Sequence, residues 1–400
     1  MSRHPSAAGP SPHSVIVGAG PAGVRVASLI AAGGHRVTLL GREAGVPYNR
    51  VALSGLLAGD MEVAALETVP HDAVAYRHGV HVETIDRVAQ CVRLTDGEPI
   101  AYDRLVLATG SHAVRLRLPG ADLPGVVLYR TLADVKAMMN AAAVGGRAIV
   151  IGGGLLGLEA AAGLARRGMA VTVIHAMDRL MERQLDPGGA ERLRQRLAQQ
   201  GIDVVLSATT VGIIGGDQAR GVALADSRVI EADLIVMAVG IRPAIELAAG
   251  AGLPVNRGVI VDDAMRTDDD AIFAVGDCAE HDGVCCGLVA PAFAQAAVAA
   301  TNVLGGTARY AVAYDATALK VAGAAIWSAG EATATDAESV VLDDAEDGQY
   351  RHLLVRNNRL VGAVLLGETA DAPWYLNLIR DGANIAALRH ALPFGPQFAA

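Results

Sequence analysis

Residues 14–23, SVIVGAGPAG, constrain the fold of this chain more than any other stretch. The apolar run 14–17 stops at Gly18-Ala19-Gly20-Pro21-Ala22-Gly23, and an Ala/Leu/Val-rich helical run follows to Ala32. Strand, glycine turn and helix in that order open a dinucleotide-binding βαβ unit. Each glycine has a separate task. Gly18 makes the tight turn, Gly20 lets backbone approach a pyrophosphate, and Gly23 lets the helix pack on the strand. The helix N-terminus then offers unpaired N–H groups and a positive dipole end to phosphate. A second strand is expected over 36–40, and Glu43 follows it, 20 residues past Gly23. That is the distance at which a carboxylate binds ribose hydroxyls.

The pattern recurs. Arg147–Ile151 reads as a strand, Gly152-Gly153-Gly154-Leu155-Leu156-Gly157 as the turn, 158–168 as the helix and Ala170–Ile174 as the next strand. The two fingerprints start 134 residues apart, too far for a short-period repeat, so the architecture is duplicated. Around them, 104–110 reads as a buried strand ending in Thr109-Gly110, and 234–240 as another ending in Gly240. Residues 272–278, IFAVGDC, read as a strand ending in Asp277. The carboxyl end of a strand is where open α/β sheets place ligands. Residues 80–95 alternate apolar and polar like half-buried strands, and Asp96-Gly97 is a hairpin turn signal. Pro119-Gly120 and Pro124-Gly125 mark a linker.

The chain from about Tyr310 differs in kind. Strands are expected over 324–328, 350–356 and 360–366, an acidic loop over 343–347, a turn at Asn357-Asn358 and a helix over 374–381. The expected fold class is therefore α/β, with two Rossmann-like dinucleotide-binding domains and a small C-terminal α+β domain. The expected division is a loose tail over 1–13, a first nucleotide domain in two parts (14–118 and 243–309), a second over 119–242, and the last domain over 310–400.

Four hundred residues is more than one ordinary core needs, and a chain that is 52% hydrophobic can bury several. A net charge of −9 with no basic stripe argues against nucleic acid as a partner. The four cysteines form no CxxC, so neither a dithiol centre nor a zinc site is signalled, and no metal is expected. The Ala-rich stretch 288–304 is broken by Pro291, Gln295 and Asn302, so no membrane span is expected. The first dozen residues lack an apolar signal-peptide core, which makes the cytoplasm the expected location.

Two glycine fingerprints, an intervening Ala108-Thr109-Gly110 and a late Gly276-Asp277 together resemble the two-dinucleotide-binding flavoprotein oxidoreductases. The segments PYNRVALSGLLAG, RLVLATGS, GGGLLGLEAA, RLMERQLD, FAVGDCAEH and GLVAPAFAQA resemble the flavoprotein module of assimilatory nitrite reductase large subunits. They are also similar to electron-transfer subunits of assimilatory nitrate reductases and, more distantly, to rubredoxin and ferredoxin reductases. The resemblance runs from about residue 14 to the end of the chain.

It implies FAD in the first site and NADH or NADPH in the second. Gly18, Gly20, Pro21, Ala22 and Gly23 would receive the FAD pyrophosphate, with Arg42 and Glu43 at the adenosine ribose. Arg50 would be a cation near the pyrophosphate or flavin, and Thr109, Gly110 and Gly276 would line the site. Asp277 would bond the ribityl chain, and Pro291 would open a helix aimed at the flavin pyrimidine edge, its dipole stabilising the reduced anion. Gly152, Gly154, Leu155, Leu156, Gly157 and Gly240 would hold the nicotinamide nucleotide, with Glu159 on the first helical turn near the nicotinamide. Hydride would pass to the flavin without a protein acid or base. A separate acceptor, such as a nitrate or nitrite reductase component, a ferredoxin or a rubredoxin, would then take the electrons. A homodimer is compatible with this picture. Alternative activities within the resemblance are rubredoxin or ferredoxin reduction, NAD(P)H oxidation by oxygen, and a flavin-based redox sensor resembling apoptosis-inducing factor.

Bland readings stand beside these. Glu43 is readable as a solvated acid, Arg50 as a surface cation paired with Asp60, and Glu159 as a first-turn acid complementing the helix dipole. Cys285-Cys286 reads as a pair of small apolar fillers, His281 as a histidine without ligand spacing, and Trp327 and Trp374 as core. Two departures from the family pattern matter. Rubredoxin and ferredoxin reductases carry a lysine after the serine of the PYNRVALS segment, where this chain has Gly55. Position 175, where an NAD-preferring enzyme usually carries an acid, is His175, with Arg179 nearby; His175 would lie at the second nucleotide, and tolerance of NADPH stands level with NADH preference and His175 stacked on adenine. The chain also has no cysteine cluster for the iron–sulphur and sirohaem groups into which nitrite reductase large subunits continue.

Overall fold

The computed structural model describes residues 11–311, 316–321, 323–344 and 346–398. Most of the expected loose tail lies outside these residues. The chain divides into two compact units. The first comprises Met1–Leu53, Glu62–His112 and Ile241–Val312; the second comprises Ser54–Met61, Ala113–Gly240 and Ala313–Ala400.

The first unit is built on five parallel strands in the order Ile272–Ala274, Arg104–Leu107, His13–Val17, Arg36–Gly41, Val74–His78. His13–Val17 is central and buried along its whole length, as a strand covered on both faces must be, which explains its unbroken apolar run. Helices Pro21–Ala32 and Val289–Val303 pack against each other in this unit. The alternating stretch near residue 90 forms the antiparallel ladder Val82–Asp86, Cys91–Leu94, Pro99–Ala101.

The second unit repeats the plan. Its parallel sheet runs Ile202–Val205, Ala170–Ile174, Arg147–Ile151, Leu234–Met237, Val126–Leu128. The antiparallel ladder Thr210–Gly215, Ala219–Leu224, Val229–Glu231 follows edge strand Ile202–Val205, as the ladder of the first unit follows edge strand Val74–His78. This unit also contains the C-terminal sheet, five antiparallel strands in the order Ala316–Val321, Ala324–Gly330, Arg359–Leu366, Gln349–Arg356, Glu338–Asp344. Asn357 and Asn358, both at positive φ (51° and 55°), close the hairpin expected there. Helix Ala372–Asp381 covers the sheet, burying Tyr375, Leu378 and Ile379 against Trp327, Leu353 and Leu365.

Several expected boundaries move, for local reasons. The second fingerprint helix is Leu155–Arg166, starting inside the motif, because Gly154 already serves as its extended N-cap (φ −85°, ψ −178°). The helix containing Pro291 opens at Val289, so Pro291 is its third residue. The strand before Asp277 ends at Ala274, and Gly276–Cys278 is a separate 3₁₀ turn. Asp343 and Asp344 close strand Glu338–Asp344 and are not part of a loop.

The C-terminal sheet carries one buried cation. Arg351 meets the Asp371 carboxylate at 2.8 Å and donates to the Tyr375 hydroxyl at 3.1 Å and the Pro393 carbonyl at 3.3 Å. Removing one partner of a buried pair strands the other. Arg351→Leu is expected to destabilise this domain by roughly 3 kcal/mol. The change is measurable as an earlier transition in urea, and Arg351→Lys should recover part of it.

Candidate functional site

In the first unit the glycine turn is forced by backbone contact. At Gly18 (φ +110°) a Cβ would stand 2.1 Å from the Ala108 carbonyl oxygen, and at Gly23 it would stand 1.8 Å from the Gly18 carbonyl oxygen. Helix Pro21–Ala32 is thereby pressed onto the turn. Its N-cap, Gly20, supplies no side-chain cap, and its first turn has no acid. A Cβ on Gly20 would meet only Arg50 Nε, at 3.9 Å, so the helix N-terminus faces open space with its N–H groups available. Pro21 and Ala22 line this opening half-buried. The donors and the room both fit a pyrophosphate.

Around that opening the expected residues gather in part. Glu43 lies two residues beyond strand Arg36–Gly41, half-buried, while Arg42 is exposed. Tyr48 donates its hydroxyl to Glu43 Oε2 at 2.6 Å, Arg50 Nη1 donates to Tyr48 Oη at 3.0 Å, and Arg50 Nη2 pairs with Glu43 Oε1. Asp60 is held by Arg166 Nη2 and Nη1, at 2.6 and 2.9 Å. At the next strand ends, Thr109 Oγ1 donates to the Ala244 carbonyl at 2.9 Å, and Gly110 has φ +71°. Ser111 donates to Asp277 Oδ2 at 2.7 Å. Gly276 N–H donates to the fully buried Gln295 at 2.8 Å, fixing this turn to helix Val289–Val303.

The second unit reproduces the turn. A Cβ on Gly152 (φ +123°) would lie 2.3 Å from the Ala238 carbonyl oxygen, and one on Gly157 would lie 2.0 Å from that of Gly152. Gly154 caps the helix without a side chain, and a Cβ there would have nothing within 4 Å. Leu155 and Leu156 open the helix, and Gly240 (φ +111°) is exposed beyond strand Leu234–Met237. His175 lies against this turn. Gly153 N–H donates to its Nδ1 at 3.1 Å, and its Nε2 lies 3.1 Å from Glu182 Oε2. Arg179 folds back to donate to the carbonyls of Leu185 (3.3 Å) and Glu182 (3.2 Å) and to Asp178 (3.2 Å). Glu182 had no sequence signal, because nothing in the segment RLMERQLD marks one polar residue above the others.

Glu159 is the fifth residue of its helix, so it is not a first-turn acid, and the helix has no acid in its first turn. Burial pushes its carboxyl up to about 7, and only the Ser54 hydroxyl, hydrogen-bonded to it, pulls the other way. Tyr129, buried beside it, has its hydroxyl raised by desolvation and by the Glu159 charge. Ser54 and Tyr129 are members of this cluster that sequence reading missed. A Cβ on Gly55 would come within 2.8 Å of Met61 Cε, the flexible tip of that side chain.

Cys91 and Cys278 are buried, whereas Cys285 and Cys286 are half-exposed and not the buried fillers expected. Gln295 donates to Cys286 Sγ at 3.5 Å, and the Tyr310 hydroxyl lies 3.6 Å from it. His281 is buried 3.0 Å from Asp263, and the ligand atoms of His281, Asp263 and Asp282 lie within 4.8 Å of one another. Trp327 is core and Trp374 packs at its margin. Among the described residues, no helix is long and apolar enough to cross a membrane.

Residues 12–301 match the model of the pyridine nucleotide-disulphide oxidoreductase family, and residues 316–383 that of the rubredoxin NAD+ reductase C-terminal domain. The chain is 40% identical over 383 residues to nitrite reductase [NAD(P)H] of Bacillus subtilis, covering 93% of this chain and 48% of that protein. It is 39% identical over 385 residues to the assimilatory nitrate reductase electron transfer subunit of the same organism, covering 93% and 50%. It thus spans about half the length of these curated relatives. Among solved structures, putidaredoxin reductase in its covalent complex with putidaredoxin superposes with a TM-score of 0.85 at 26% identity, over 93% of this chain and 94% of that one.

Between the ordinary carboxylate range and pH 7, Glu159 holds a proton in the folded chain that it loses in the unfolded one. Stability is therefore expected to fall as pH rises through that window. Glu159→Gln should flatten the profile and be more stable than the parent at pH 8, by about 2 kcal/mol. Thermal unfolding of both proteins across pH 5–8 checks this. A protonated-carboxyl infrared band fading near pH 7 only in the parent is the matching spectroscopic sign.

Proposed function

This chain belongs to the pyridine nucleotide-disulphide oxidoreductase family, and on that premise we propose that it passes electrons from NAD(P)H through FAD to a separate redox protein of the nitrate or nitrite assimilation type. FAD and NAD(P)H are the cofactors of the family. The observation that carries the reading is the doubled glycine turn, each copy aiming an uncapped helix N-terminus at open space. Each fits one pyrophosphate.

Bound FAD would supply the chemistry that joins two-electron oxidation of NAD(P)H to reduction of the acceptor. The protein's share is binding, alignment and charge. Gly18, Gly20 and Gly23 would seat the FAD pyrophosphate, and the paired Arg50 and Glu43 would flank it, the acid toward the ribose. Asp277, oriented by Ser111, would hold the ribityl chain. The helix Val289–Val303 would direct its positive end at the flavin ring edge, with Gln295 fixing its distance from Asp277 through Gly276. Gly152, Gly154 and Gly157 would seat the second nucleotide, with Glu159 near its nicotinamide. The segment contains four cysteines, all free and with no cluster-ligating spacing, which supports an acceptor carried elsewhere and a reducing, cytoplasmic setting. The likeness to an electron transfer subunit and to a reductase captured with its protein acceptor supports the same reading.

Anaerobic stopped-flow mixing with NADH or NADPH should bleach the flavin absorbance rapidly. Reoxidation should be fast with a cognate iron–sulphur or haem acceptor and slow with oxygen. Fast oxygen consumption with no gain from any acceptor would overturn the reading in favour of an oxidase. Asp277→Ala should lower flavin content or slow reduction at least about 10-fold, as expected for loss of a hydrogen bond to a charged group.

A further inference from the structure

His175 replaces the acid expected at the end of the second strand, yet the structure puts a carboxylate back at the same place from another part of the chain. Gly153 N–H donates to His175 Nδ1 at 3.1 Å, so Nδ1 presents a lone pair. The proton of the neutral imidazole then resides on Nε2, 3.1 Å from Glu182 Oε2, which accepts it. Protonating Nδ1 would set two donors face to face and cost Gly153 its acceptor. His175 thus bridges the glycine turn and Glu182. The ring lies so close to the turn that a Cβ on Gly153 would be 2.7 Å from its Cγ. The side chain of His175 is 11% exposed and that of Glu182 is 29% exposed, so the acid is the accessible member of the pair.

The cation nearest to His175 in sequence is committed elsewhere. Arg179 spends Nε on the Leu185 carbonyl, Nη2 on the Glu182 carbonyl and Nη1 on Asp178. It braces the 178–185 loop and does not offer its fork to a phosphate. The group bonded to His175 beside the second glycine turn is therefore a carboxylate, the kind of group position 175 would itself have supplied as an acid.

We propose that Glu182, positioned through His175 and with Arg179 bracing its loop, is the residue that selects NADH over NADPH. Its carboxylate accepts from the adenosine 2′-hydroxyl and repels a 2′-phosphate. The proposal rests on the second glycine turn being the nicotinamide-nucleotide seat.

The test uses the flavin-loaded protein, with ADP-ribose and 2′-phospho-ADP-ribose as probes in titration calorimetry and kcat/KM for NADH and NADPH beside them. The parent should bind ADP-ribose at least about 10-fold more tightly than its 2′-phosphate, in line with one charge-assisted hydrogen bond. Glu182→Gln should bring the two within about 3-fold, mainly by improving the 2′-phosphate, since an amide no longer repels it but still bonds a hydroxyl. Glu182→Ala should lose ADP-ribose affinity as well. Arg179→Gln should weaken both probes together without reversing their order. Equal or tighter binding of the 2′-phosphate by the parent would overturn the assignment, as would an unchanged ratio in both Glu182 variants. Either result leaves the nucleotide seat standing. Failure of the parent to bind either probe would instead remove the seat, and this assignment with it.

Discussion

The helix after each glycine turn sits directly on the backbone of the turn, carbonyl oxygen against Cα hydrogen, with no side chain between. At Gly23 over Gly18, and at Gly157 over Gly152, even a methyl group would overlap the oxygen. This contact fixes the helix axis relative to the central strand, so the helix N-terminus arrives at the carboxyl edge of the sheet. At the two N-caps, Gly20 and Gly154, a side chain would have room, yet both positions are glycine and both helices are without a side-chain cap. Relative to glycine, a serine or aspartate cap would add about a few tenths of a kcal/mol. Neither fingerprint helix takes that gain, and both keep first turns free of acid. The same choice made twice, in sheets of matching strand order, is a helix end kept open for an anion.

Charge around the two openings is handled differently. In the first unit the acid and the cation neutralise each other: Glu43 and Arg50 pair directly, with Tyr48 bonded to both. In the second unit Glu159 has no such compensation. Gly55 packs on Met61, and the Ser54 hydroxyl is the group that stabilises the Glu159 charge. A carboxyl buried beside one hydroxyl is held protonated well above its ordinary range.

Much of this was legible in the sequence because the constraint is local. A tight turn and a close helix approach each demand glycine at one position, so the spaced glycines mark both turns in the sequence. Strand existence was equally plain, since strands buried on both faces read as unbroken apolar runs. Boundaries were less so: the second helix begins at Leu155, inside the fingerprint, because the N-cap is Gly154 and not the last glycine. What stayed hidden depends on contacts between segments far apart in sequence. Asp60 finds Arg166, Ser54 finds Glu159, and Asp263 finds His281. No spacing rule anticipates such meetings. Glu182 was invisible for another reason: its importance comes from a histidine that turns a loop acid into a strand-end acid.

That loop is held at its far end by the C-terminal sheet. Asp186, four residues past Glu182, caps helix Pro187–Gln199 by accepting from Gly188 N–H and accepts from the Tyr350 hydroxyl at 2.6 Å. Arg192 and Arg196 of the same helix reach Asp343 and the Gly348 carbonyl of that sheet. Burial and the Asp186 charge together hold the Tyr350 proton in place, so the bond persists across the working pH range. The segment from His175 to Asp186 is thus pinned to the glycine turn at one end and to the C-terminal domain at the other, with Arg179 tying its middle to its own backbone. A loop fixed this way keeps its acid in one position although it carries no regular secondary structure. The C-terminal domain, remote from the second fingerprint in sequence, is therefore part of what shapes that seat. This connection gives a physical reason for the second seat and the C-terminal domain to form one compact unit.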